Sequence, residues 1–585
     1  MRPALTIVLS ILFLCSVNAQ KYSVTWGDET KMKKATVDMK LVGADKTGVY
    51  FLEGDLKMKS YFVVGASFKT AYKLKKFDDQ FNEVFEKDYS KDLRDVSLNS
   101  IKPLKNKLFL FAHHYNKKEN TYSIYGIEID KTSGELTGEL NEVANYTLAS
   151  DKDDVDYIFK ALPDSSGWIL VVNITPKDKS SDDIYTTVLD LKLTKKQSAT
   201  IHLKTDPHFF NFEDIAFTKD NKFLLLGKEY EALDNGRKRK KITLKDYTLT
   251  RYSAKGLEEA SYKFEANDNR YLIGGKLLPL PSGEIVFAGF YSNTGEIKKQ
   301  QLNGVYIARI SSKADSLVQS SSMNITQNML TNLSDSIPQD EDNDQADDKS
   351  SRRKKDKDDD DGDEGFNNSF VIRNVIANPA TNNLVLIAES YKYTYRTYTS
   401  SDYNSATHST SFRTETIYSF ANSDLLIINA SVDGTLKHID LIPKKQLESI
   451  TNAGSTSSGI SFNENIEGLF AEGGAYPYYS SISSLVANNK LFIFYNDDDR
   501  NIQAKYGDDS KSIKRIYNFK KSVLCALSID FTSSALTKKI IYDNSDELIA
   551  MPRFGYVTGN NVYLPASKQK SFGKTELSIG KISIK

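Results

Sequence analysis

The chain has 585 residues, of which 39% are hydrophobic and 26% are charged, and its 77 basic and 77 acidic side chains give a formal net charge of zero. A chain of this length can bury a large core, and a zero net charge excludes the overall positive charge that is typical of nucleic-acid-binding proteins. The 33 Tyr and 30 Phe residues favour β-strands, because flat side chains suit a pleated, half-buried surface.

The N-terminal segment 1–19 has the features of a secretory signal peptide. Arg2 supplies a positive charge, Leu5–Val17 form a short apolar core, and Val17-Asn18-Ala19 is a small-residue cleavage pattern. The apolar core is too short for a membrane-spanning helix, and no later stretch is longer. The sequence therefore predicts an exported mature chain from Gln20 onward, located in the periplasm, at the cell surface or outside the cell.

After the signal, short apolar strands follow one another at regular spacing. Eight of them have the character of the second strand in a repeated four-stranded unit, and they begin at Gly48, Lys107, Trp168, Lys222, Ile285, Leu384, Lys490 and Val562. Each follows a turn rich in residues that tolerate tight backbone geometry, such as Asn, Asp and Gly. A third strand follows each, near Thr70, Tyr122, Thr186, Tyr247, Gly304, Asp424, Ser522 and Glu576. Many short strands at regular spacing indicate an all-β repeat.

This pattern resembles a β-propeller, in which four-stranded antiparallel sheets, called blades, surround a central channel. It predicts one all-β propeller over residues 20–585 with about eight blades; seven blades and two separate β domains are the alternatives. A strand at Lys21 would complete the three-stranded last unit and close the ring. The resemblance rests on periodicity, because the WD, kelch and Asp-box signatures are absent. The signal junction and the Lys/Asn-rich composition also resemble secreted Bacteroidetes proteins of unknown function.

All long insertions follow a second strand or link two units, so that propeller geometry places them on one face. They lie at 231–241, 338–365, 391–415 and 447–474. Segment 338–365, with 13 acidic and 6 basic residues and no large hydrophobic residue, is expected to be disordered, because it cannot offset its ordering entropy. The loop 391–415 alternates Tyr with Ser and Thr and predicts an extended hairpin. Function commonly lies on variable loops, so the sequence predicts a binding site on this side, the elaborated face.

The candidates for this binding site are polar and aromatic residues at the ends of the second strands and just before the seventh unit. They are His114, Tyr115, Glu229, Tyr230, Tyr291, Glu389, Tyr476, Tyr478, Asp497, Asp499 and Arg500. Tyr and Arg are common anchors at interfaces. A structural role stays open for each, because the tyrosines can be packing residues and the acidic run before Arg500 can be a solvated turn.

The sequence contains no motif for catalysis, for a metal site or for a bound cofactor. Cys525, the single cysteine after the signal, alternates within an apolar strand and is expected to be a small buried hydrophobe. Two functions remain open. One is a binding or scaffold protein that presents the elaborated face to a protein or glycan partner. The other is a hydrolase or lyase acting on carbohydrate or peptide through carboxylates at the channel mouth.

Overall fold

A computed structural model describes most of the chain after the predicted signal peptide. The described residues are 22–31, 36–61, 65–162, 164–177, 183–203, 209–218, 222–233, 241–264, 270–280, 284–310, 317–325, 366–367, 370–378, 382–404, 409–453, 477–504, 512–568 and 576–585. The predicted signal peptide, the acidic segment 338–365 and the candidate Tyr476 lie outside them. No helix within these ranges has the length and hydrophobicity that a membrane span requires.

The described chain begins with β1 (Tyr22–Trp26) and β2 (Thr30–Lys31), followed by four successive antiparallel blades. Blade 1 contains β3 (Thr36–Asp45), β4 (Gly48–Tyr61), β5 (Gly65–Phe77) and β6 (Glu83–Asp88). Blade 2 contains β7 (Ser97–Leu104), β8 (Lys107–Asn116), β9 (Thr121–Ile129) and β10 (Asn141–Thr147). Blade 3 contains β11 (Asp154–Ala161), β12 (Gly167–Thr175), β13 (Asp183–Asp190) and β14 (Lys195–His202). Blade 4 contains β15 (Phe210–Phe217), β16 (Phe223–Leu233), β17 (Lys241–Tyr252) and β18 (Glu258–Lys263).

Four more blades complete the fold. Blade 5 contains β19 (Tyr271–Pro279), β20 (Ile285–Ser292), β22 (Gly304–Ile310) and β23 (Leu317–Asn324), and β21 (Gln301–Leu302) pairs separately with β24 (Phe366–Asn367). Blade 6 contains β25 (Phe370–Asn378), β26 (Asn383–Asn404), β27 (Ser409–Ser431) and β28 (Leu436–Ile442), with β29 (Gln446–Ala453) added to β27. Blade 7 contains β30 (Ile482–Ala487), β31 (Lys490–Asp497), β32 (Val523–Asp530) and β33 (Leu536–Asp543). Blade 8 contains β34 (Ile549–Ala550), β35 (Tyr556–Thr558), β36 (Asn561–Lys568) and β37 (Glu576–Ile584). Short 3-10 helices lie at Ile297–Lys299, Asp499–Asn501, Phe519–Lys521, Asn544–Asp546 and Pro552–Phe554.

The prediction of an all-β propeller with eight blades is confirmed. Every second strand begins within one residue of its predicted position. These strands are buried on both faces, as in β20, because each blade is covered by a neighbouring blade on either side. Apolar side chains along the second and third strands therefore supply most of the core.

Eight large hydrophobic clusters hold the blades together, and each combines side chains from two consecutive blades. The last of them packs Tyr563 and Leu577 of blade 8 against Leu41 and Phe51 of blade 1. Eight blades with eight shared interfaces form a closed ring, in which no blade leaves an apolar flank uncovered.

The N-terminal strand completes blade 8, as the sequence predicts. β1 runs antiparallel to β37, with Tyr22 opposite Ile584 and Trp26 opposite Gly580. The indole of Trp26 lies over Gly580, where an added Cβ would be only 2.3 Å from the ring. This strand pair joins the two ends of the described chain within one sheet.

The first strands surround the channel, because first strands of neighbouring blades contact one another. Their polar side chains reach from blade to blade. Lys102 Nζ donates to the carbonyl of Phe159 at 3.1 Å, and Asn374 Nδ2 donates to Ser484 Oγ at 3.2 Å. Much of the polarity at the channel wall therefore links blades to one another.

Two of the long insertions on the elaborated face contain regular structure, and the extended hairpin that the sequence predicts at 391–415 is present. Residues 391–404 and 409–415 belong to the continuous strands β26 and β27, which form a long hairpin. The segment predicted as a loop at 447–474 starts with a strand, because β29 pairs with residues 415–422 of β27. Its remainder from residue 454 lies outside the described ranges.

Candidate functional site

A three-stranded sheet extends from blade 6 beyond the body of the propeller. We call it the projecting sheet, and it comprises residues 391–404 of β26, 409–422 of β27, and β29. Tyr391, Tyr393, Tyr418 and Phe420 share one side of it, the tyrosine face, because Tyr393 is registered opposite Phe420 and side chains alternate along a strand. The rings of Tyr393 and Tyr418 are stacked with centroids 6.3 Å apart. Tyr393 is 38% exposed, whereas Phe420 beneath it is fully buried.

A buried ionic cluster lies at the base of this sheet, where β26 leaves the blade. Glu389 is fully buried and interacts with two cations: Lys444 Nζ lies 2.5 Å from Oε1, and Arg373 Nε lies 2.8 Å from Oε2. Ser481 Oγ also donates to Oε2 at 2.6 Å. Three segments distant in sequence therefore meet at one carboxylate.

The charges of this cluster fix the protonation state of Glu389. Burial alone would raise the pKa of this carboxyl group, but Lys444 and Arg373 lower the pKa to about 2. Glu389 is consequently an anion at any physiological pH, and its negative charge is neutralised within the protein.

A β-bulge delivers Arg373 to this position. Arg373 is the extra residue between Ile372 and Asn374 in the pairing of β25 with β26, and such bulges commonly redirect a side chain near functional sites. Blade 4 contains the same bulge at Glu213, which forms an ion pair with Lys228 of the second strand. The two blades thus hold equivalent ion pairs of reversed polarity.

The link between blades 6 and 7 is hydrogen-bonded to the projecting sheet. The carboxylate of Glu448 on β29 accepts hydrogen bonds from the backbone N–H groups of Tyr478, Tyr479 and Ser480 at 2.7–2.9 Å. Burial raises the pKa of Glu448, and these N–H groups oppose that rise. Asn422 Nδ2 donates to Ser480 Oγ at 2.8 Å. The projecting sheet is therefore anchored to blade 7 by hydrogen bonds as well as by its own strands.

A second buried ion pair lies at the end of β31. Lys538 Nζ is 2.6 Å from Asp497 Oδ2, and both side chains are almost fully buried. Asp497 Oδ1 accepts from Asn501 Nδ2 at 2.9 Å and from the Asp498 backbone at 2.8 Å. Asp497 is thus a structural anchor of the connection that follows β31.

Every carboxylate oxygen of Glu389, Glu448 and Asp497 accepts at least one hydrogen bond from the protein. General acid–base work on a substrate requires an oxygen that can exchange a proton with the substrate. The three carboxylates are instead committed to ion pairs and hydrogen bonds within the protein. Within the described ranges, no three His, Cys, Asp or Glu side chains are grouped closely enough to hold a metal ion.

The candidates on blades 2 and 4 lie away from this cluster. Tyr115 donates its hydroxyl hydrogen to Asn120 Oδ1 at 2.6 Å, in the turn that follows β8. His114 lies beside it on β8, half-buried. On β16, Glu229 Oε2 is 3.7 Å from Lys245 Nζ, and burial raises the pKa of Tyr230. These four positions do not meet one another across the channel.

The remaining candidates divide between core and surface. Tyr291 is fully buried in the core between blades 4 and 5, with its hydroxyl group bonded to Asn324, so it presents no binding surface. Asp499 and Arg500 are exposed, and Arg500 pairs with Asp498 at 2.7 Å. Tyr478 is 39% exposed and lies beside the tyrosine face through its bond to Glu448.

Several residues of the site were not candidates in the sequence. Arg373 interrupts an apolar first strand, and that interruption is the signal that could have identified it. Lys444 gives no such signal, because it stands in a polar turn between β28 and β29. Its burial results from contacts with residues far away in sequence.

Comparison with known proteins adds little to this description. No family model and no curated protein matches the chain. Among solved structures, a protein of unknown function from Dyadobacter fermentans is 8% identical over 75% of this chain and 97% of its own, with a TM-score of 0.28. An α-L-arabinanase from Penicillium chrysogenum is 9% identical over 62% of this chain and 94% of its own, with a TM-score of 0.27. The apocarotenoid oxygenase from Synechocystis is 8% identical over 89% of this chain and 95% of its own, with a TM-score of 0.30. Likeness at this level carries no argument about function.

Proposed function

We propose that this chain is an exported binding protein that presents its elaborated face to a protein or glycan partner. The predicted signal peptide at 1–19 supports the export, and the projecting sheet supports the binding. The partner contacts the tyrosine face and the neighbouring Tyr478. The propeller ring serves as a rigid base for this surface.

The observation that carries this proposal is the partial exposure of Tyr393 on a sheet anchored at both sides. Tyr supplies a large, amphipathic contact area at a small cost in conformational entropy. The projecting sheet holds Tyr393 in place through the buried Phe420 and through β29, so little ordering is required when a partner binds. Such pre-organised aromatic residues are typical of binding surfaces.

The saturated carboxylates favour binding over hydrolysis. Glu389 and Asp497, the two buried candidates for acid–base work, each accept hydrogen bonds on both oxygens and face cations. A hydrolase of the two-carboxylate type needs one carboxyl group that can give up a proton to the leaving group. Glu389, whose pKa is lowered to about 2, does not meet that requirement.

Affinity capture tests the proposal. The mature protein from Gln20 onward is immobilised beside a Tyr393→Ser/Tyr418→Ser variant and a Val84→Ser control, which changes an exposed residue on the outer strand of blade 1. We expect the wild type and the control to retain the same partner in stoichiometric amount from the native envelope fraction, and the double variant to lose it. Equal retention by all three proteins, or retention by none, would refute a binding role for the tyrosine face.

Export is tested separately by mass spectrometry of the protein recovered outside the cytoplasm. The expected N-terminus is Gln20. A full-length protein confined to the cytoplasm would contradict the export.

A further inference from the structure

A group of charged side chains on blades 3 to 6 and in the turn before β29 is linked by ion pairs and by electrostatic interactions with Lys276. The cations are Lys160, Lys228, Lys276, Arg373 and Lys444, and the anions are Glu213, Asp214 and Glu389. Lys160 pairs with Asp214 at 2.5 Å, and Lys228 pairs with Glu213. Arg373 and Lys444 share the single carboxylate of Glu389. Within this linked group, five cations share three anions, and four of the cations form the ion pairs.

Lys276 is the cation of this group that forms no ion pair, because Asp214, the anion that attracts it most, is paired with Lys160. No hydrogen bond or ion pair joins its ammonium group to any residue in the described ranges. Burial lowers the pKa of Lys276, and Lys160 and Arg373 lower it further, while Asp214 and Glu213 oppose them. An anion beside Lys276 would offset this desolvation and repulsion.

Gly274 shows that there is open space near Lys276. Gly274 lies two residues earlier on β19, so it is on the same side of the strand. A Cβ atom added at Gly274 would meet nothing within 4 Å. The side of β19 that carries Lys276 therefore borders open space.

The cationic region is continuous with the tyrosine face. The guanidinium carbon of Arg373, which acts electrostatically on Lys276, lies 5.1 Å from the ring centroid of Tyr391. Tyr391 is followed by Tyr393 on the same side of the projecting sheet, about 7 Å further along the strand. Arg373, Tyr391 and Tyr393 thus follow one another over about 12 Å.

We propose that the partner at the elaborated face is an acidic oligosaccharide, with a carboxylate or sulfate group beside Lys276 and sugar rings against Tyr391, Tyr393 and Tyr418. This inference rests on the proposed binding function and assigns its ligand class. Lys276, a cation with no ion pair in the part of the chain that the structure describes, favours an anionic group on the ligand. Tyr rings present an apolar face with a polar tip, which suits a sugar ring with C–H groups on its faces and hydroxyl groups at its rim.

An added peptide strand fits the site less well than an oligosaccharide. Peptides commonly join a sheet at a free edge. The outer edge of β29 is occupied near its start, where Gln446 pairs with Ile516 and the Leu447 N–H group donates to the Ile516 carbonyl at 2.9 Å. The ring-bearing face of the projecting sheet remains as the accessible aromatic surface, with Tyr393 38% exposed.

Calorimetric titration of the mature protein tests this assignment with four probes. They are an oligogalacturonate, which carries carboxylates, a heparin-derived oligosaccharide, which carries sulfates, a neutral cello-oligosaccharide and a poly-glutamate peptide. We expect one of the two acidic oligosaccharides to bind, with an affinity that falls as salt is added, and the cello-oligosaccharide not to bind. Whichever acidic probe binds identifies the anionic group.

Variants locate the binding. Lys276→Gln and Tyr393→Ala should each weaken the affinity about tenfold or more, since a charged hydrogen bond or a buried ring contributes at least that factor. Lys392→Gln, on the opposite side of β26, and Tyr517→Ala, a 65% exposed tyrosine outside the tyrosine face, are the matched controls and should retain wild-type affinity. The melting temperature of the Lys276→Gln variant should be no lower than that of the wild type, because the substitution removes a desolvated charge.

The other outcomes overturn the inference. Binding of the neutral and acidic sugars with equal affinity would refute the role of Lys276. Binding of poly-glutamate alone, sensitive to the same variants, would refute the ligand class and leave the binding function standing. If no probe binds a folded wild type, the oligosaccharide assignment fails, and the capture experiment decides the binding function independently.

Discussion

Replacing Glu389 by Gln should destabilise the propeller strongly. The substitution removes the anion that neutralises Arg373 and Lys444, both buried, and leaves two cations without a counter-charge. Breaking a buried ion pair from one side typically costs about 3–5 kcal/mol. The glutamine side chain has nearly the size of the glutamate and can still accept a hydrogen bond from Ser481, so the loss reports mainly the charge.

The lowered pKa of Glu389 gives a second, independent value for its contribution to stability and the pH range over which that contribution is present. The shift of Glu389 from 4.5 to about 2 corresponds to about 3 kcal/mol of stability at neutral pH. Because the pKa is lower in the folded state, this contribution is complete above about pH 4.5 and disappears as the pH falls towards 2. For a cooperative unit of this length, 3 kcal/mol lowers the melting temperature by only about 3 °C, so denaturant titration is the better assay.

The assay is urea unfolding of wild type and Glu389→Gln between pH 7 and pH 2.5, with Asp499→Asn as control. The free energy of unfolding should differ by about 3 kcal/mol at pH 7, and the difference should shrink below pH 4.5. Asp499 is exposed, so its variant should stay within about 0.5 kcal/mol of wild type. Adding Lys444→Met to Glu389→Gln should recover part of the loss, because it removes an uncompensated cation. A Glu389→Gln difference below about 1 kcal/mol, or one that does not change with pH, would refute the ionic account of this cluster.

Three further predictions concern other parts of the ring. Asp497→Asn should lower the free energy of unfolding by about 3 kcal/mol, because it leaves Lys538 buried without a counterion. In the same urea titration, Arg500→Ala should change the free energy of unfolding by less than about 1 kcal/mol, because the Arg500–Asp498 pair is exposed. Gly48→Ala should reduce the urea midpoint, because Gly48 has φ +134° and an added Cβ would lie 1.8 Å from the Phe77 carbonyl oxygen. The control Gly138→Ala should leave the midpoint unchanged, because a Cβ there meets nothing within 4 Å. Equal midpoints for the two variants would contradict the strained turn at Gly48. Burial raises the pKa of Cys525 to about 12. A thiol reagent at pH 8 should therefore label the native mature protein far more slowly than the urea-unfolded chain. Rapid labelling of the native protein would contradict this prediction and would show that blade 7 opens readily.

The strands could be predicted from the sequence because their signal is local. A run such as Ile285–Ser292 is apolar at nearly every position and follows a Pro-Ser-Gly turn, which specifies a buried strand without reference to the rest of the chain. The expected closure of the ring by the N-terminal strand is also confirmed, because an incomplete last unit and an isolated first strand are both visible in the sequence. The strand β29 was missed, since its alternation is weak and its partner β27 is more than 20 residues away.

The site was less predictable because its chemistry depends on distant partners. Glu389 and Asp497 were identified as candidates, but their burial depends on Lys444 and Lys538, which lie 55 and 41 residues later. A carboxylate at the end of an apolar strand has the same local pattern whether it faces water or a buried lysine. Arg373 reaches Glu389 only because a bulge turns it out of the regular alternation, and a bulge has no fixed signature in the sequence.

The pairing of β1 with β37 makes the two ends of the described chain a single structural unit. If a protease removed β1, the edge of β37 would lose its partner, and the neighbouring core cluster would lose Tyr22 and Trp26. Removal of β37 would have the same effect from the other side. The integrity of this blade therefore depends on one short strand pair, and joining β37 to β1 by a linker would allow the chain to be opened between two other blades without breaking the ring.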